Sequence, residues 1–353
     1  MLEQLRQWWE KPFFRVAAYL AFGFLSFVAF LLVTFPDHRV RQIVSNEIEA
    51  AMDFEYDVTI GKLGFWRLTG ISAREITLRE RVVGGGADDE EADGPMPMMV
   101  RVERISARLA PIRTILGGGP AADFQIDVGE SIIRGRFDMD GFNEAATQKI
   151  SLNMNDLDLR RSTLLTSFVG QPIYGILDGD VEIEIDGARG GLITGGYVDL
   201  TGQQLTLGAT TIEIDGIPLL TGLDLPTTSF GNMEMLLTFE ETEHGSRLNF
   251  DKFETSGRDI FTEAWGHIDI TPTGNRPRVE LRLQVNEEYV TEHGLSSLFN
   301  MGEFRQGEYG EWYGFVIAGR AGDINFRGSR TAAQGPQAAG QDDAVDGGDD
   351  AGE

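Results

Sequence analysis

Residues 178–186 read DGDVEIEID. In this stretch Val181, Ile183 and Ile185 alternate with Asp180, Glu182, Glu184 and Asp186. Successive side chains of a strand point to opposite faces, so this period of two makes one face apolar and the other acidic. The same signature recurs outward in both directions. Val279, Leu281, Leu283 and Val285 are separated by Glu280, Arg282 and Gln284. Phe124–Ile126–Val128, Ile150–Leu152–Met154, Ile212–Ile214 and Ile268–Ile270 repeat it. From Asp57 onward the chain therefore reads as mainly β: a large curved antiparallel sheet or a β-sandwich, with one or two short helices. Val181, Ile183, Ile185, Val279, Leu281, Leu283 and Val285 are the candidate apolar sheet face.

The alternation slips near Arg104 and near Asn155–Asp156, and a β-bulge at each place restores it. Glycine stands just ahead of an alternating run in DGDVEIEID, GGYVDLTG, WGHIDIT and RGRFDMD, which suits bulges or bends in a curved sheet. Two helical islands are expected, at residues 160–169 and 287–299, the second weakened by Gly294. A sheet with one apolar face must cover that face with a second sheet, with helices or with bound lipid. The helices are too few, and periodicity does not separate the other two covers.

The N-terminal region reads differently. Residues 16–35, VAAYLAFGFLSFVAFLLVTF, form twenty residues without a charge. At the rise of a helix that is roughly 30 Å, the thickness of a bilayer's hydrocarbon core. Val16, Leu20, Phe24, Val28, Leu32 and Phe35 are taken as anchor positions of a transmembrane helix. The run exceeds the usual signal-peptide h-region of about 7–15 residues and no A-x-A-like site follows, so a retained anchor is expected. Arg6, Lys11 and Arg15 precede it, and only Arg39 and Arg41 follow closely, which predicts a cytoplasmic N-terminus and an exported remainder. A short amphipathic helix is expected after the span, from an N-cap at Asp37 to Met52, on Val40, Ile43, Val44 and Ile48. The expected organisation is an arm at 1–15, the span at 16–35, a β-rich domain at 37–330 and an acidic tail at 331–353.

The formal charge of −26, from 56 acidic and 30 basic residues, argues against nucleic acid and against broad contact with anionic lipid headgroups. Two acidic segments without a base, residues 84–97 and the tail from about Thr331, lack aromatics and large aliphatics and are expected to be disordered. The chain has no cysteine, so it has no disulfide and no thiol chemistry.

No catalytic constellation is legible, and no catalytic, cofactor-binding or metal-ligating residue is assigned. His38, His244, His267 and His293 lack metal-ligand spacing and read as isolated surface residues. Residues 117–119, GGG, lack the lysine of a phosphate loop and read as a flexible connection. The acids of residues 178–186 share one strand face that could attract calcium, but without EF-hand spacing they read as a solvated face. Phe299, Phe304, Tyr309, Trp312, Tyr313 and Phe315 read as core packing of the last strands.

One span closing on TFPDHRVRQIV, an amphipathic helix, and then YDVTIGKLGFWRLTGISAREITL follow in order. With SFVGQPIYGILDGDVEIEIDG, GGYVDLTGQQLTLG and FETSGRDIFTEAWGHIDI, this order resembles the type II secretion system protein N family in its delta-proteobacterial form. More distantly it looks like the AsmA-like envelope proteins. The first resemblance implies an inner-membrane protein with a periplasmic β-rich domain, a scaffold subunit in the export of folded proteins. Its partners would be other secretion-system subunits in the inner membrane and periplasm. The second implies an apolar sheet face that holds phospholipid. Neither implies an enzyme.

Overall fold

The computed structural model describes residues 37–51, 56–66, 70–81, 99–143, 145–161, 172–212, 223–295, 312–320 and 323–336, together with Phe22, Gly23 and Ser26. The anchor positions, the acidic loop at 84–97, the island at 162–169 and the tail beyond residue 336 lie outside the described residues. No helix among the described residues is long and apolar enough to cross a membrane.

Fourteen strands form one antiparallel sheet. They are β1 (Tyr56–Trp66), β2 (Gly70–Glu80), β3 (Met99–Leu109), β4 (Ala121–Val128), β5 (Ser131–Met139), β6 (Thr147–Asp158), β7 (Ile173–Asp186) and β8 (Leu192–Leu207), followed by β11 (Thr228–Thr242), β12 (Gly245–Ser256), β13 (Ile260–Thr271), β14 (Gly274–Val285), β15 (Tyr313–Arg320) and β16 (Asp323–Gly328). Each pairs with its neighbour in sequence. Between β8 and β11 a separate hairpin of β9 (Thr210–Ile212) and β10 (Leu223–Leu225) branches off, and β8 pairs directly with β11. The described strands thus make an open meander, and the β-sandwich alternative is corrected. Alternating runs joined by short turns pair most readily with what is adjacent in the chain.

Helix α1 (Asp37–Ala51) forms where the amphipathic pattern predicts it. Val40, Val44 and Ile48, one turn apart, pack on a core of Val58, Ile60, Leu63, Ala73, Ile76 and Val102. Ile43 faces outward and is 60 % exposed. A second core of Val128, Leu157, Leu159 and Leu177 closes with Ile126, Ile133, Met154 and Leu200 around it. Helix α2 (Pro111–Gly117) joins β3 to β4, α3 (Glu287–Glu292) follows β14, and α4 (Arg330–Gln334) follows β16.

Three expectations need correction. The island from Glu287 stops at Glu292, just before Gly294 takes φ 68°. Residues 117–119 are not only a loose connection, because Gly117 ends α2 and Gly118 is its left-handed cap. The tail does not begin at Thr331: Ser329 caps α4, and Ala332 and Ala333 are 0 % and 2 % exposed.

Of the two expected bulges, the one near Asn155–Asp156 forms and the one near Arg104 is corrected. Near Arg104 the register does not shift: the β2–β3 ladder passes from Arg74–Arg104 to Ile76–Val102 without pairing Glu75 and Glu103, and Glu75 has φ 56°, so both strands break the alternation at one level and neither gains a residue. The β6–β7 register shifts between Met154 and Leu157, where Asp156 has φ 50°. That extra residue returns Leu157 to the face of Met154, so both join the second core.

Candidate functional site

Directly paired residues of neighbouring strands share a face of the sheet. Following the pairings from one edge to the other gives a continuous row: Phe65, Ile71, Ala107, Phe124, Gly135, Leu152 and Val181, then Val198, Leu237, Phe250, Gly266, Val279, Ile317 and Phe326. The row crosses all fourteen strands of the sheet and contains no polar side chain. A second apolar row runs beside it from Leu109 through Ala122, Phe137, Ile150, Ile183, Gly196, Phe239, Leu248 and Ile268 to Pro277.

The structure places every candidate face residue named from sequence on this one surface. Val181 and Val279 stand in the first row and Ile183 in the second. Ile185, Leu281, Leu283 and Val285 occupy the same phase of their strands. Sequence reasoning named parts of β7 and β14 but missed the continuity. The Val198–Leu237–Phe250 segment was hidden by a register shift in β11–β12 between Leu236 and Leu237.

The opposite face is polar. Arg108, Asp123, Arg136, Ser151, Glu182, Tyr197, Thr238, Asn249, His267 and Arg278 follow one another across the strands there. Ion pairs tie neighbouring strands together on this side: Arg108–Asp123 at 2.9 Å, Arg247–Asp269 at 2.7 Å and Arg282–Glu263 at 2.6 Å. These pairs are part-buried and span adjacent strands, so they pair the charges of this face across the sheet.

The apolar face is incompletely covered. Helix α1 covers it at β1–β3, and the second core closes part of it between β4 and β11. Elsewhere most of its side chains are half-buried, although at β13–β15 Ala264 and Phe315 are buried at 8 % and 2 % exposure. Val279 is fully buried at 7 % exposure, while Phe65 and Ile71 remain 39 % and 37 % exposed. A fully sandwiched face would be buried throughout. Among the described residues, what remains is a long, uncharged, partly exposed apolar surface.

The titratable groups lie off this surface. His267 sits half-buried on the polar face; burial, and then the Arg247 charge, push its pKa below the ordinary histidine value. The Arg247 hydrogen bond holds Asp269 below the usual carboxylate range. His38, His244 and His293 are exposed, and the His293 ring stands edge-on to Tyr289 at 5.0 Å. The acids of residues 178–186 meet neighbours: Asp180 accepts from Asn153 at 2.8 Å, and Glu182 and Glu184 share Lys149. Among the described residues no three His, Asp or Glu side chains gather as a metal site. Of the late aromatics, Phe315 is 2 % exposed in the apolar face, whereas Trp312 lies under the Arg282 guanidinium at 4.3 Å and edge-on to Phe261. Phe299, Phe304 and Tyr309 lie outside the described residues.

No family model, no curated protein and no solved structure matches this chain.

Proposed function

We propose that this is a membrane-anchored envelope protein whose apolar sheet face receives lipid acyl chains. The observation that carries the reading is the unbroken apolar row from Phe65 to Phe326, half-buried along most of its described length. A surface of this kind that serves only as core is covered. The twenty uncharged residues ahead of α1 supply the anchor, and the surplus of basic residues before them orients the N-terminus to the cytoplasm and the sheet to the periplasm of an inner-membrane protein. The likeness to AsmA-like envelope proteins points the same way. No catalytic role is proposed.

The test is site-specific photocrosslinking in intact membranes. A photoreactive residue at Val198 or Leu237 should form adducts of phospholipid mass, and one at Tyr197 or Thr238, on the opposite face, should not. Equal labelling of both faces, or none at either, would discard lipid handling.

A second reading is favoured by the edges. Within the described sheet β1 and β16 have one neighbour each, and edge strands accept strands of partner proteins. This supports a scaffold subunit of a type II secretion system, in keeping with the resemblance to its protein N. Photoreactive residues on the outer edges of β1 and β16 would then give protein adducts in place of lipid.

A further inference from the structure

The connection between β3 and β4 is built inside out for a soluble surface. In α2, Arg113 and Thr114 point inward and the apolar residues point outward. The Arg113 guanidinium lies 2.6 Å from Asp123 and 3.6 Å from Asp138, and the Thr114 hydroxyl accepts from the Ala121 N–H at 3.1 Å. Ile112, Ile115 and Leu116 are left 73 %, 80 % and 82 % exposed. Leu109, the last residue of β3, is 62 % exposed, and Phe142 in the neighbouring β5–β6 turn is 74 % exposed. The helix is fastened in this orientation, so the exposure is a designed state of the surface and not fraying. In a chain of formal charge −26, residues 109–120 contain no carboxylate.

The topology places this patch at a definite end of the molecule. The Val58 N–H donates to Glu49 at 2.9 Å, and Arg81 reaches Glu49 at 3.6 Å, so the C-terminal part of α1 lies at the Tyr56 end of β1. Val40, Val44 and Ile48 pack on the core containing Val58, Ile60 and Leu63, so α1 runs back along β1 and its Asp37 end points toward Trp66. Trp66, Gly70, Arg108, Asp123 and Arg136 stand at one level across β1–β5. The α2 connection lies at that end, and so does the turn carrying Phe142. The uncharged stretch 16–35 enters α1 there through Pro36 alone.

We propose that Leu109, Ile112, Ile115, Leu116 and Phe142 form a second membrane contact, seated at the headgroup–acyl boundary of the bilayer that holds the anchor. Exposed apolar side chains suit that depth: residues 109–120 carry no carboxylate, the adjacent Asp123 and Asp138 are paired with Arg113, and Asp140, two residues before Phe142, accepts from the Thr147 N–H. A second point of contact fixes the sheet's tilt on the membrane. The contact rests on the anchored reading of residues 16–35. It does not require the sheet face to bind lipid. If the face does, the contact holds the mouth of the second apolar row, at Leu109, against the bilayer from which lipid would enter.

The native chain has no cysteine, so single-cysteine variants report cleanly. The full chain, reconstituted in vesicles of phosphatidylethanolamine with a minor share of phosphatidylglycerol, is labelled at Ile115→Cys with an environment-sensitive fluorophore. Controls are Val28→Cys in the anchor and Glu130→Cys at the opposite end of β4–β5. The Ile115 probe should shift to the blue and lose most of its emission to a quencher carried near the lipid headgroups, while the Glu130 probe stays aqueous. An aqueous Ile115 probe beside a quenched Val28 probe overturns the contact and leaves the anchor standing. An Ile115 probe shielded from water but untouched by the lipid quencher also overturns it, and assigns the patch to a second copy or another protein. An aqueous Val28 probe overturns the anchored reading itself. The triple variant Ile112→Ser, Ile115→Ser, Leu116→Ser removes only exposed side chains, so it should fold and lose the lipid quenching of a probe at Phe142→Cys. Retained quenching there counts against the proposal. Lipid adducts at Val198 are scored separately, so failure of the sheet-face reading is distinguishable from failure of this contact.

Discussion

Glycine acts in this sheet in two distinct ways. At Gly266, in mid-strand, φ is 111° and an added Cβ would stand 2.2 Å from the Arg278 carbonyl oxygen, which is backbone and cannot move aside. Gly266→Ala should therefore lower unfolding stability by about 1–3 kcal/mol in urea titrations. At Gly135 the backbone is ordinary, and the Phe124 ring lies over the missing side chain, 2.0 Å from where a Cβ would be. A side chain can swing aside where a backbone carbonyl cannot, so Gly135→Ala should have the smaller effect of the two. Charge matters at this scale as well. Because the folded pKa of His267 lies below its unfolded value, the unfolded chain takes up that proton first as the medium is acidified. Stability should fall as pH drops from about 6.5 toward the lower folded value, and His267→Gln should flatten that part of a thermal-melting profile. Asp269, depressed by Arg247, adds stability that is present above about pH 4 and lost as pH falls through its folded value. Arg247→Met should remove that acid limb.

Among the elements, α1 and α4 are held by burial and α2 is not. Val44 meets the first core, so Val44→Asp should release α1 and speed amide exchange in β1–β3, with a loss of about 1–3 kcal/mol. Ala332 and Ala333 pack so closely that an added Cβ at Gly314 would stand 2.2 Å from the Ala333 amide nitrogen. Ending the chain after Ser329 should therefore lower the melting temperature, while ending it after residue 336 should not. A small residue facing a small helix is a packing match that no single-segment pattern reveals, which is why α4 was absorbed into the acidic tail. Helix α2 had a legible signal, Pro111 at its first turn and Gly118 just past its end. Its exposed Ile112, Ile115 and Leu116 resembled one more apolar run and concealed it.

At the scale of the whole molecule, an open sheet separates folding from the candidate function. Leu157 is 2 % exposed in the second core, so Leu157→Ala should cost about 2–5 kcal/mol. Ile183 is only half-buried in the second apolar row, so Ile183→Asp should leave circular dichroism unchanged. The same substitution should abolish phospholipid adducts at Val198, two residues along from its paired position. Loss of fold on Ile183→Asp would indicate a covered face.

The sequence by itself determined that the bulk of the chain is strand and which face each residue of an alternating run takes. A period of two leaves no choice about which side of β7 carries Val181 and Ile183. It also located the bulge at Asp156 and the break near Arg104, because a slipped alternation is a local event. Only the tertiary structure decided that these separate faces join into a single row from Phe65 to Phe326. It also decided that the fourteen long strands form one sheet and not two stacked ones. Register between strands depends on the bulges and turns of both partners, and closure depends on residues far apart in the chain. Neither leaves a trace in the periodicity of any one segment.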